Sequence, residues 1–193
     1  MEFRVTSCKP EAPAKLHPNV PNNPQEPAMR KDVGSVPMSE PLAYFLTWTT
    51  YGSWLPGDER GWADKPGRLK LGDQKLVAQA KALLTEPELT LTDEQRQIVE
   101  RTIADHCRIR GWHLHSVNCR TQHVHVVVTA TDRDPEEVMD QFEAWCTRKL
   151  KDREQSNGHA KPRDKWWTQR GSKRHLFDEA SVEEAIKYVS DGQ

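Results

Sequence analysis

No apolar run in this chain of 193 residues approaches the ~20 residues a membrane-spanning helix requires; only 35% of the residues are hydrophobic and 30% are charged. That excludes a membrane span and argues against a membrane partner. The N-terminus lacks the basic, apolar, small-residue order of a secretory signal, and the four cysteines, Cys8, Cys107, Cys119 and Cys146, show no paired spacing. A disulfide scaffold is thereby set aside, and a reducing, cytoplasmic setting is expected. No GxxxxGK[ST] phosphate loop is present, so nucleotide hydrolysis has no visible seat. Neither sign of charge prevails, with 28 Lys plus Arg against 29 Asp plus Glu. At face value a net charge of -1 speaks against a nucleic-acid protein.

What is present is unevenly distributed. Eight of the 13 prolines lie in the first 41 residues, where no apolar periodicity is found. Residues 1–40 are therefore expected to form a disordered Pro-rich arm, followed by one folded domain over 41–193 of a size that buries a sizeable core. Within it, Leu42 to Thr50 reads as a strand, followed by a loop punctuated by Gly and Pro. A short helix over 73–84 and a second over 93–109 follow, the latter opened by the capping-box pair Thr92 and Gln95. Trp112 to Val117 and His123 to Ala130 flank the polar stretch NCRTQ and read as an antiparallel hairpin. A helix begins at Asp134-Pro135 and runs to about Asp152. Trp166 to Phe177 is read as a strand or an irregular hairpin, and a last helix, VEEAIKYVS, is capped by Asp178 or Ser181. This order predicts an α+β domain, ferredoxin-like, with one antiparallel sheet and its helices packed on one face.

The sharpest local feature is His123-Val124-His125. In a strand, residues two apart point to the same face with Cα atoms ~6.5 Å apart, so two imidazoles can grip one ion while Val124 faces the core. Two surface histidines are the plain alternative. His113-Leu114-His115 lies on the partner strand, and a hairpin paired symmetrically about Cys119 places all four histidines on one face. That register makes a zinc protein built on two HxH pairs a live alternative; a one-residue slip abolishes it.

The stretches GWHLHSVNCRTQHVHVVVTA, YFLTWTTYGSWLPGDERGW, WWTQRGSKRHLF and AIKYVSDGQ together resemble the single-tyrosine HUH transposases, the insertion-sequence-200-like and REP-associated tyrosine transposases. The resemblance runs from about Leu42 to Gln193. It implies that His123 and His125 hold a divalent ion, Mg or Mn, against a scissile phosphate, and that Tyr188 is the nucleophile. The implied activity cuts and rejoins single-stranded or hairpin DNA through a 5′-phosphotyrosine. Of the three tyrosines, only Tyr188 follows the HVH motif on a helix; without the resemblance it reads as a helix residue packing its ring at a domain edge. The family places a Gln or Asn four residues after its tyrosine as a third ligand. Here that position is Gly192 and the next is Gln193, which serves only if the chain turns back after the helix. A non-catalytic nucleic-acid-binding descendant of the fold is therefore a further alternative.

Charge supports the DNA reading locally. From Arg148 to Arg174 ten basic residues stand against three acidic ones, a net of +7, a density suited to a phosphate backbone. Arg148, Lys149, Lys165, Arg170, Lys173 and Arg174 are the expected DNA contacts, with Trp166 as a surface on which bases stack. Trp166 and Trp167 should alternate faces, leaving at most one for stacking. The chain is expected to act as a monomer or homodimer.

Overall fold

The computed structural model describes residues 40–63, 69–130, 132–158, 161–169 and 171–191. The arm expected over residues 1–40 lies outside them, apart from Glu40. The central element is a four-stranded antiparallel sheet of β1 (Ala43–Thr49), β4 (His113–Cys119), β5 (His123–Thr129) and β6 (Ser172–Leu176), ordered β4-β5-β1-β6. Helix α2 (Asp93–Arg110) connects β1 to β4, and α3 (Pro135–Ser156) connects β5 to β6. This is the βαββαβ arrangement of the ferredoxin-like class, as expected. A short helix α1 (Gln74–Ala82) and a two-stranded ribbon, β2 (Trp62–Ala63) with β3 (Leu69–Lys70), lie in the segment between β1 and α2.

The helices divide between the two faces. Tyr44, Leu46 and Trp48 of β1 alternate onto one face with Val124, Val126 and Val128 of β5, where they pack with Val99 and Ile103 of α2 and Phe142 and Leu150 of α3. The expectation of helices on one face holds for this unit. The final helix α4 (Glu179–Ser190) lies on the other face, where Val182, Ala185 and Val189 cover Ala43, Val127 and Leu176. The strands demand it, because both of their faces carry apolar side chains and a sheet face of that kind must be covered.

Local signals explain the helix ends. Thr92 and Gln95 form the reciprocal capping box, and α2 stops at Gly111, whose φ of 71° is a conformation that glycine adopts at little cost. The Asp178 side chain accepts from the Ser181 N–H at 2.8 Å and starts α4. Of the two caps considered for that helix, it is Asp178 that serves.

The hairpin register departs from symmetry about Cys119. Strand β4 continues through Cys119, which pairs with Val124, while Asn118 pairs with His125 and His113 with Thr129. Cys119 is buried against the helix layer, and its N–H donates to the Glu100 carboxylate of α2 at 2.8 Å. The turn is thus confined to Arg120–Gln122, and His113–His115 moves to the far end of the hairpin. Thr129, opposite His113, lies four residues from His125, ~13 Å along a strand. The four-histidine zinc site is therefore not formed.

Candidate active site

The face beneath α4 presents polar side chains in a row across four strands. Asn118, His125, Thr47 and Ser172 are successive cross-strand partners from β4 to β6, and partners in a sheet point the same way. His123 lies two residues from His125 on this face, beside Thr49, and the two imidazole centroids are 4.7 Å apart. Tyr188 of α4 stands over them. Its ring meets His125 edge-on at 5.6 Å and Phe45 at 5.8 Å, and the residue remains 40% exposed. The structure therefore brings together, within one chain, three residues separated by 65 positions in sequence: His123, His125 and Tyr188.

Two contacts that the sequence did not advertise hold this arrangement. Thr47 Oγ1 and His125 Nδ1 share a hydrogen bond of 2.8 Å, which fixes the ring and leaves Nε2 as the nitrogen open to a ligand. Asn118 Nδ2 donates to the Val189 carbonyl at 2.9 Å, tying the last turn of the tyrosine helix to the strand opposite His125. Ser116 and Ser190 hydroxyls meet at 3.3 Å alongside. Nothing local in the sequence marks Asn118 for this role, because its partner carbonyl is 71 residues away. Gly171, beside this row, lies so close to β1 that a Cβ there would come within 2.5 Å of the Thr47 carbonyl oxygen. Glycine is required by that approach.

The electrostatics keep the imidazoles neutral. Burial pushes His125 down to about 4, with His123 and then Arg120 acting in the same direction. His123 is lowered by burial first, then by Arg120 and Arg60. Neutral imidazole is the form that donates a lone pair to a metal ion. The donor chemistry fits part of a divalent site: two imidazoles on one face, with the remaining positions open to water or to phosphate oxygens. Among the described residues no group of three or more His, Cys, Asp or Glu side chains could hold a metal ion. Gln193, expected as the third ligand, lies outside the described residues.

The expected DNA contacts are scattered. Arg174 pairs with Phe45 on the histidine face, and is exposed. Lys173 pairs with Leu46, so it points to the opposite face, where it forms an ion pair with Glu136 of α3. Arg148 and Lys149 belong to α3, in the helix layer across the sheet from Tyr188; the Arg148 guanidinium lies 4.7 Å above the Trp145 ring. Lys165 is exposed, and its backbone N–H is held by the Glu86 carboxylate at 3.0 Å. Arg170 lies outside the described residues. Trp166, expected as a stacking surface, is instead 2% exposed, and its indole N–H donates to the Arg163 carbonyl at 3.0 Å. Trp167 is partly buried against the core and donates to the Glu143 carbonyl and the Thr147 hydroxyl. Trp166 is a core residue and offers no face to a base. The local excess of +7 is also reduced by acids from outside the run, since Arg153 meets Glu94, Arg163 meets Glu86 and Lys173 meets Glu136.

Fold and site together define an α+β domain with two histidines on a central strand and a tyrosine on the helix above them. No family model and no curated protein matches the chain. Similar solved structures include a putative transposase from Deinococcus radiodurans R1, with a TM-score of 0.45 and 11% identity over 78% of this chain and 90% of that one. Another is a REP-associated tyrosine transposase bound to a REP hairpin, with a TM-score of 0.45 and 11% identity over 79% of this chain and 66% of that one.

Proposed function

We propose that this chain is a metal-dependent DNA strand transferase or endonuclease that acts on single-stranded or hairpin DNA through Tyr188. The observation that carries this reading is the meeting of Tyr188 with His125 at 5.6 Å, on the face where His123 and His125 lie side by side. The motif resemblance already noted supports it, as does the 40% exposure of Tyr188.

In the proposed reaction the Tyr188 oxygen attacks a phosphodiester phosphorus and the P–O3′ bond breaks. The phenolic proton passes to solvent, and the departing 3′-oxygen takes one up. The DNA 5′-phosphate is left on Tyr188 as a diester. Attack on that diester by a 3′-OH reverses the bond change and rejoins DNA without ATP. A divalent Mg or Mn ion held by His123 and His125 would polarise the phosphoryl oxygen and stabilise the departing 3′-oxygen. The residues of the chain supply the rest. Thr47 orients His125, Asn118 anchors the helix that presents Tyr188, and Phe45 walls the ring from below.

Incubation with labelled hairpin DNA from the flanks of its own gene, in Mn, should yield a covalent adduct that maps to Tyr188. Tyr188→Phe should abolish the adduct and retain binding. An intact protein that binds the hairpin and never forms the adduct would identify a non-catalytic binding descendant instead.

A further inference from the structure

The turn of the HVH hairpin carries a guanidinium with an unpartnered nitrogen among the described residues. Arg120 follows Cys119, whose side chain is buried in the helix layer, so alternation along the chain turns Arg120 to the face of Asn118, His123 and His125. Its backbone N–H donates to the His123 carbonyl at 2.7 Å, which ties it to the histidine strand at the mouth of the hairpin. Its Nη2 is buried with no hydrogen-bond partner among the described residues. An unpaired guanidinium nitrogen away from water is costly, and native proteins rarely leave one unexplained.

The neighbouring Arg60 differs from Arg120 in its partners. Both guanidinium groups act electrostatically on His123. Arg60 is already occupied: Asp58 takes it through two side-chain bonds of 2.7 Å and the Ser53 carbonyl takes a third. Arg120 has no such acid among the described residues. Two like charges converge beside neutral imidazoles, and the one nearer the turn keeps its hydrogen-bonding capacity for something else. A planar guanidinium matches the paired oxygens of a phosphate.

We propose that Arg120 is the phosphate-binding residue of this site, its guanidinium taking the non-bridging oxygens of a DNA phosphodiester held between the histidine pair and Tyr188. The inference rests on the reading of the site given above and adds a binding residue to it. In the reaction such a group would meet the charge that develops on those oxygens.

The test needs neither metal nor cleavage. The full chain is titrated with a dithymidine dinucleotide, whose single phosphate is a diester, and in parallel with inorganic phosphate, while the 15N signals of the Arg120 guanidinium are followed. The expected result is a shift of those signals with the dinucleotide, and a dissociation constant weakened at least about tenfold in Arg120→Gln. Arg120→Lys, which keeps the charge without the planar fork, should fall between. Unchanged dinucleotide affinity in a folded Arg120→Gln overturns the proposal, as do wild-type guanidinium signals that do not move, or that move with inorganic phosphate alone. Should Arg120→Gln fail to fold, the wild-type signals and the lysine variant decide. Because the readout is binding without metal, a chain that takes the dinucleotide at Arg120 but never forms the Tyr188 adduct keeps this inference and loses the catalytic one.

Discussion

At the scale of single residues, the site depends on pairs in which one member is conspicuous and the other is not. His125 stands out in the sequence because a second histidine lies two places away in a β-rich run. Thr47 does not, because threonine is ordinary in a strand and only the β1–β5 register makes it the partner of His125. Its hydroxyl is nevertheless what selects the ring nitrogen left for a ligand. Thr47→Val keeps the β-branched shape and removes that hydroxyl. It should weaken Mn binding by about 10- to 100-fold, the usual cost of losing an outer partner of a metal-binding histidine. Titration followed by the electron paramagnetic resonance of free Mn would measure this, with thermal melting as the control for folding. Unaltered Mn affinity would show that Thr47 does not orient His125. Trp166 illustrates the opposite error. A tryptophan inside a basic run looks like a stacking platform, but exposure depends on which strands close over it, and here the chain end of β1 does so through the Tyr51 N–H to Trp166 carbonyl bond of 2.9 Å.

At the scale of elements, the helices and strands were legible and their pairing was less so. Thr92 with Gln95, Asp134 with Pro135, and Asp178 are short-range signals, acting within one helical turn, and each stands at a real helix start. The hairpin register was misplaced because the polar stretch NCRTQ looked like turn throughout, whereas Cys119 is drawn into β4 by burial and by Glu100 of α2, 19 residues earlier. The placement of α4 on the opposite face could not be read from its own stripe, which says that a face is buried and not against what. Once docked, the helix is held at its end by Asn118. Asn118→Ala removes a neutral hydrogen bond of about 1 kcal/mol and releases the last turn. Amide exchange across Ile186 to Ser190 should quicken, while exchange in β1 and β5 stays as it was. Yield of the Tyr188 adduct should fall with it. Equal protection of α4 in the two proteins would mean that the apolar stripe of Val182, Ala185 and Val189 suffices to place the tyrosine.

At the scale of the whole molecule, charge is organised by non-local pairing. The basic run that looked like a DNA surface gives up Arg153, Arg163 and Lys173 to Glu94, Glu86 and Glu136, acids contributed by helices and loops that the run packs against. Not every acid near it is satisfied. Glu143 of α3 is pushed up to about 7, chiefly by burial and then by Asp140, with Lys173 working against the shift and Glu136 adding to it. An acid whose folded pKa lies above its ordinary value of 4.5 binds more protons folded than unfolded. Its contribution is therefore present at low pH and is lost as pH rises from about 4.5 to about 7. In the same molecule, Asp58 and Asp178 are held below the ordinary carboxylate range, by Arg60 and by the Ser181 N–H and hydroxyl respectively. Their contribution runs the other way and is lost as pH falls through the acid range. The histidines that burial lowers run against Glu143 over the same window. His125, lowered to about 4, and His123, His106 and His115, also lowered, contribute less as pH falls below their ordinary 6.5. The Glu143 decline is therefore read from the difference between two proteins. Glu143→Gln, which cannot ionise, should flatten that decline and make the variant more stable than the wild type above pH 7, by ~1 to 2 kcal/mol once solvent screening is allowed for. Urea unfolding at pH 5, 6, 7 and 8 would measure both proteins. Parallel curves for the two would place the charge of Glu143 in solvent.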